Sequence, residues 1–282
     1  QPVPIIEHPD VKNMLMSIKS NVEGMRVFVY YCGFLTDLIK ISQDKMEKKK
    51  LEGLRLLLTP VCTVFCSDTA FDVTREAMQV FGSAGYFQDY PVEQFMRDVK
   101  VASVYEGSNG IIALRMLTMN MGKDYKNVYY LLEEIDSTIL QNQHKERLKD
   151  VSRDLQKKLE VLNRTVIFLN SCVSQNKPLI PIANASLLLK LIGLITTGWL
   201  LLRKAGIAEE KLTTLYNNRK ILSEDKDDIA LFIKENQEAG FYYSKILVAR
   251  YYCKHYLPFA DTLSERIQNN NIPPEEMIDD VF

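Results

Sequence analysis

The chain has 282 residues, 46% hydrophobic and 25% charged, which is enough apolar material for a sizeable buried core. Basic and acidic residues nearly balance at a formal net charge of −1, excluding the strongly basic surface of a general nucleic-acid binder. The five cysteines form no CxxC pair and the three histidines show neither HxxxH nor HExxH spacing, so no metal site is expected.

Cys62 and Cys66 stand four apart, on one face of a helix, and read as buried thiols of a reducing, cytoplasmic or other intracellular compartment. The opening stretch QPVPIIEHPD is extended and proline-marked, and reads as a cut through a longer polypeptide. Pro9 suits a first helical turn. Val11, Met14, Leu15, Ile18, Val22 and Met25 then step at three and four, predicting an amphipathic helix whose apolar stripe continues through Val29 and Leu35. The charged run QDKMEKKK reads as a solvated helix end or turn. A second helix is expected from Leu54 to Phe81, beginning near Thr59 or kinked at Pro60.

The segment FGSAGYFQDYPVEQFMRD, with its glycines, aromatics and Pro91, predicts a structured loop and a short helix after Pro91. Ser108 or Asn109 is a candidate N-cap for a helix over Ile111 to Met121. That helix is apolar nearly all round and therefore expected to be deeply buried, its methionines serving core packing, with Gly122 ending it. Long helices are expected at about 126–140, 143–174, 183–205 and 226–258, with a tail helix near 261–269. Tyr243, Ile246, Leu247 and Tyr251 give one apolar face; SQNKPLIP and GIAEEKL read as loops, and NNNIPPEEMIDDVF as an extended tail. Ser186 to Lys204 is nearly long enough to cross a bilayer. Lys190 interrupts it and Gly193 and Gly198 loosen it, so it reads as a buried helix of a soluble protein without a transmembrane segment. The fold class is all-α: one helical bundle over 1–123 and a second over 124–282. Fold alone carries no function.

One short stretch invites chemistry. Glu106 is a lone carboxylate between Tyr105 and Gly107 at the mouth of an apolar run. By local sequence it is either a solvated loop residue near a helix start or a base.

Three segments occur in order: QVFGSAGY (Gln79 to Tyr86), YPVEQFMRD (Tyr90 to Asp98) and YEGSN (Tyr105 to Asn109). Together they resemble the C-terminal helical domain of acyl-CoA dehydrogenases. IIEHPDVKNMLMSIKSNVEGMR, GSNGIIAL, LLKLIGLITTGWLLLRKA and AGFYYSKILVARYYCKHYLP resemble the longer branch of that family, which carries an additional helical domain. The family's N-terminal and middle domains, which hold much of the flavin and the acyl-CoA, have no counterpart in these residues.

The resemblance implies an FAD-dependent α,β-dehydrogenation of an acyl-CoA thioester. Glu106, at the YEG[TS] position, would remove the α-proton while flavin takes the β-hydride. An ordinary solvated glutamate is too weak a base for this, and Val104, Tyr105, Ile111 and bound acyl chain are expected to strengthen it by desolvation. The resemblance places the thioester carbonyl on the Glu106 backbone N–H, with Gly107 permitting close approach. It also implies flavin contacts for Ser108, where the family usually has threonine, and for Asn109 and Gly110. It gives Gln79, Val80, Phe81, Gly82 and Ser83 contacts to the flavin of a neighbouring subunit, and hence a homodimer or homotetramer. An electron-transferring flavoprotein is the implied acceptor. Arg97 and Asp98 are read as a structural pair. The alternative is a non-catalytic helical interaction module, or pseudoenzyme subunit, that partners a flavin-bearing chain.

Overall fold

A computed structural model describes residues 3–121, 125–219 and 226–269. No strand occurs among the described residues, and the protein is all-α. A single 3-10 turn (Ile5–Glu7) leads into α1 (Pro9–Ile41), which starts on Pro9 as expected. Its faces are not as expected. The stripe Val11, Met14, Leu15, Ile18, Val22 and Met25 is only half-buried, and Val29 is exposed. The buried face of the N-terminal half is instead small and polar: Ser17, Ser20, Asn21, Glu23 and Gly24.

Asp44 separates α1 from α2 (Lys45–Val80) and caps α2, its carboxylate accepting from the Met46 and Glu47 N–H groups at 2.7 and 3.3 Å. The charged run is thus the first turns of α2, and Lys50 pairs with Glu133 and Glu134 at 3.1 and 2.9 Å. The helix starts well before Thr59 and continues through Pro60, because Leu54, Leu57, Leu58 and Val61 bury their side chains on both sides of the proline. After α2 the chain makes a 3-10 turn (Gly82–Tyr86), then α3 (Val92–Lys100), a second 3-10 turn (Val101–Ser103) and α4 (Asn109–Met121).

The second half supplies α5 (Lys126–Asn142), α6 (Lys149–Ser174), α7 (Leu179–Ala183), α8 (Ala185–Arg219), α9 (Lys226–Glu235), α10 (Gln237–His255) and α11 (Phe259–Asn269). SQNKPLIP is therefore a turn followed by the short α7, and GIAEEKL is no loop but part of α8. Gly206 is there for close approach: a Cβ on it would stand 2.2 Å from Asn142 Oδ1. The expected helix over 226–258 is broken at Asn236, whose side chain accepts from the Ala239 N–H at 3.0 Å and caps α10. Gly122 and the tail from residue 270 lie outside the described residues.

Helix α8 is the axis of the bundle, touching α1, α2, α4, α5, α6, α10 and α11. Its apolar window is 83% buried in protein. Trp199 is fully buried, meets Tyr31 edge-on at 5.1 Å, and donates its indole N–H to Thr138 Oγ1 at 2.7 Å. One continuous apolar core runs from α1 and α2 through α8 to α11. At its edge Glu23 of α1 is held by Lys19 (3.1 Å), Lys204 of α8 (2.6 Å) and Lys245 of α10 (3.0 Å).

Candidate functional site

The candidate residues fall in two places along α2. Gln79 and Val80 end the helix, Phe81 caps it, and Gly82 and Ser83 begin the 3-10 turn. Gly82 has φ +60, a left-handed conformation that favours glycine. Gly85 is required by contact, since a Cβ there would stand 2.6 Å from the Met78 carbonyl oxygen. From this turn α3 packs back on α2, with the Lys100 ammonium 5.4 Å from the Phe71 ring centroid. Arg97 pairs with Glu93 at 2.9 Å, one helical turn away, and Asp98 accepts from Gln94 at 3.3 Å. Among the described residues the direct partner of Arg97 is therefore Glu93 and not the adjacent Asp98, because residues four apart on a helix share a face whereas neighbours point apart.

The second place is the turn entering α4. Glu106 has φ +57 and Gly107 φ +107, two successive left-handed residues. A left-handed glutamate is uncommon and such backbone collects at functional sites. Ser108 occupies the N-cap position, its carbonyl accepting the Ile112 N–H at 3.1 Å. Asn109 is anchored: its amide donates to Asp68 Oδ1 at 2.7 Å and to Ser67 Oγ at 3.0 Å, both on α2. The backbone N–H groups of Glu106, Gly107 and Ser108 meet no acceptor among the described residues. They lie at the head of a helix, where free N–H groups and the macrodipole favour a partially negative oxygen. No heavy atom comes within 4 Å of where a Cβ would stand on Gly82, Gly107 or Gly110.

The expected desolvation of Glu106 is not found in this chain. Glu106 is exposed, and Val104, Tyr105 and Ile111 are 59%, 68% and 51% exposed. The reason is that α4 buries only one side, Ala113, Met116, Leu117 and Asn120, against α2 and α8. Met119 is 49% exposed, so the helix is not buried all round. Phe81, Tyr86, Phe87 and Tyr90, in and around the Gly82–Tyr86 turn, are exposed as well.

The structure does not join the two groups of residues into one site. Asn109 is fastened at Asp68, and Gln79 lies eleven residues further along α2, about 16 Å at 1.5 Å per residue. The anchors Ser67 and Asp68 were not legible in sequence, since they lie some forty residues from Asn109. Cys62 and Cys66 do share a helix face, their sulfurs 3.8 Å apart, and hydrogen bonding to Cys62 together with burial pushes the Cys32 and Cys66 thiols up. No three His, Cys, Asp or Glu converge on a metal-like geometry among the described residues.

Comparison with known proteins gives consistent matches. Residues 2–121 match the family described as acyl-CoA dehydrogenase, C-terminal domain, and residues 131–275 the family described as acetyl-CoA dehydrogenase C-terminal like. The broad-specificity linear acyl-CoA dehydrogenase FadE5 of Mycobacterium tuberculosis is 26% identical over 276 residues, covering 94% of this chain and 42% of FadE5. A butyryl-CoA dehydrogenase of Syntrophomonas wolfei is 27% identical over 260 residues, covering 91% of this chain and 39% of the relative. The crystal structure of Caenorhabditis elegans ACDH-11 in complex with C11-CoA superposes with a TM-score of 0.68 at 18% identity, covering 94% of this chain and 41% of that one. The chain thus spans about two fifths of the length of the relatives it matches.

Proposed function

Since the chain belongs to the acyl-CoA dehydrogenase family, we propose that it contributes the base of an FAD-dependent α,β-dehydrogenation of an acyl-CoA thioester, with Glu106 removing the α-proton. The observation that carries this reading is the turn at Glu106 and Gly107. It carries an exposed carboxylate on the same turn as three backbone N–H groups that meet no acceptor among the described residues. An α-proton is a poor acid, and its removal needs both a base and a donor for the oxygen that gains charge. The Glu106 N–H supplies that donor, and Gly107, with open space where a Cβ would stand, lets the thioester come close.

The flavin supplies acceptance of the β-hydride when bound. This chain's residues suit it in two respects: the open surface at Gly82, Gly107 and Gly110, and the free N–H groups at the head of α4. Ser108 and Gly110 would contact it there. Asn109 would contribute by fixing the turn, its amide already given to Asp68 and Ser67. Membership of the family supports assigning Gln79–Ser83 to the flavin of a second subunit, and so a homodimer or homotetramer. The two sequence units, 1–123 and 124–282, would act together through their shared core.

The water-poor surroundings that strengthen a carboxylate base have to come from bound acyl chain and from protein covering the apolar face of Val104, Tyr105 and Ile111. The same exposed face favours, as the second reading, a non-catalytic helical module docked on a flavin-bearing chain. Replacing Glu106 by glutamine in the flavin-loaded enzyme separates the two: proton abstraction slows by orders of magnitude under the first and is unaffected under the second.

A further inference from the structure

Between α1, α2, α8, α10 and α11 lies a cavity of about 630 Å³. That is within the roughly 300–1,000 Å³ of small-molecule sites. Its floor is apolar and buried: Phe65, Val73, Leu194 and Leu263. Five charged side chains line it: Asp72, Arg75, Glu76, Lys190 and Arg266. Asp72 and Arg75 pair at 3.7 Å, and Glu76 accepts a hydrogen bond from the Ser17 hydroxyl. Lys190 and Arg266 have no carboxylate partner among the described residues. A smaller cavity of about 240 Å³ shares Phe65, Thr69, Asp72 and Lys190 with the first. Neither is lined by Glu106, Gly107 or Ser108.

We propose that this cavity binds a compact amphipathic carboxylate, with its apolar body on Phe65, Val73, Leu194 and Leu263 and its carboxylate at Lys190 and Arg266. The lining carries one more positive than negative side chain, so it selects an anion. Apolar burial supplies the affinity, and the two cations supply the choice of head group. The proposal is independent of the role given to Glu106.

Isothermal titration of the 282-residue chain with decanoate, 1-decanol and decylamine tests it. One decanoate per chain is expected, with decylamine binding at least about tenfold more weakly. Lys190→Gln and Arg266→Gln should each weaken decanoate about tenfold and leave decanol unchanged. Both side chains are exposed and make no hydrogen bond among the described residues, so helical circular dichroism should stay the same. Thr69→Trp, which fills the space shared by the two cavities, should remove binding of decanoate and decanol alike. Absence of decanoate binding, equal binding of all three compounds, or indifference to both charge substitutions would overturn the proposal. So would competition by adenosine diphosphate, which would assign the cavity to the nucleotide part of a cofactor by way of Gln79 at its edge.

Discussion

The amide of Asn109 donates to the Asp68 carboxylate at 2.7 Å, fastening the first turn of α4 to the middle of α2. Through this bond the left-handed pair Glu106–Gly107 is held against a helix three residues before its own helix begins. Asn109→Ala should cost about 1.5–3 kcal/mol, the usual range for a hydrogen bond to a charged group. A double-mutant cycle with Asp68→Ala should show coupling of at least about 0.5 kcal/mol in urea unfolding. Simple additivity would mean the bond does not hold the turn.

Gly107 and Gly110 should respond oppositely to alanine. Neither has a neighbour that a methyl group would strike. Gly107→Ala meets only backbone strain at φ +107 and should destabilise by about 1–3 kcal/mol. Gly110 lies within α4, where alanine should stabilise by about 0.5–1 kcal/mol. Thermal unfolding of the two variants checks both signs.

Gly193 should not tolerate alanine, for a different reason. A Cβ there would stand 2.5 Å from the Phe65 ring, at the crossing of α8 and α2. The loss should be about 1–3 kcal/mol, and Phe65→Leu in the Gly193→Ala background should recover part of it. No recovery in denaturant unfolding would remove the ring as the cause.

Glu23 predicts the acid limb of stability. Burial pushes its carboxyl up, but Lys204, Lys245 and Lys19 outweigh this and hold it down at about 2, against 4.5 unperturbed. Because the folded value is the lower one, the stabilisation is complete above about pH 4.5 and is lost as pH falls toward 2. Its size is roughly 3 kcal/mol. Glu23→Gln should lower stability at pH 7 by about 3–5 kcal/mol, leaving three lysines crowded together, and should flatten the acid dependence between pH 5 and 2. An unchanged acid limb in urea titrations at stepped pH would contradict this.

The helices were largely legible, because spacing at three and four is a local property; their buried faces were not. The period of α1 is correct, yet its apolar stripe is half-buried while Ser17, Ser20 and Glu23 are buried, Glu23 against Lys204 of α8 and Lys245 of α10. Which face is covered depends on partners more than 170 residues away, such as Lys204 and Tyr256. GIAEEKL was misread because glycine marks both turns and close helix contacts, and only Asn142 shows which applies. The break at Asn236 falls inside a pattern that reads as one helix over 226–258, because its capping bond to the Ala239 N–H is a backbone choice that spacing does not reveal. At the candidate site, the motif order carried the family, and the free N–H groups beside Glu106 add support that no sequence shows. The predicted dry pocket around Glu106 did not appear, since the exposed faces of Val104, Tyr105 and Ile111 depend on what covers them.

Purified alone, the 282-residue chain should be colourless, since the flavin contacts assigned to it occupy only two separated edges of α2 and α4. A stoichiometric flavin spectrum after incubation with FAD and dialysis would show a complete site within these residues.

Anaerobic bleaching of the flavin by acyl-CoA, in the enzyme that carries these residues, reads the role of Glu106 itself. The wild type should bleach, and Glu106→Gln should retain the flavin and bind acyl-CoA yet bleach about 10²–10⁴-fold more slowly. Equal bleaching rates in the two proteins would show that another group takes the α-proton.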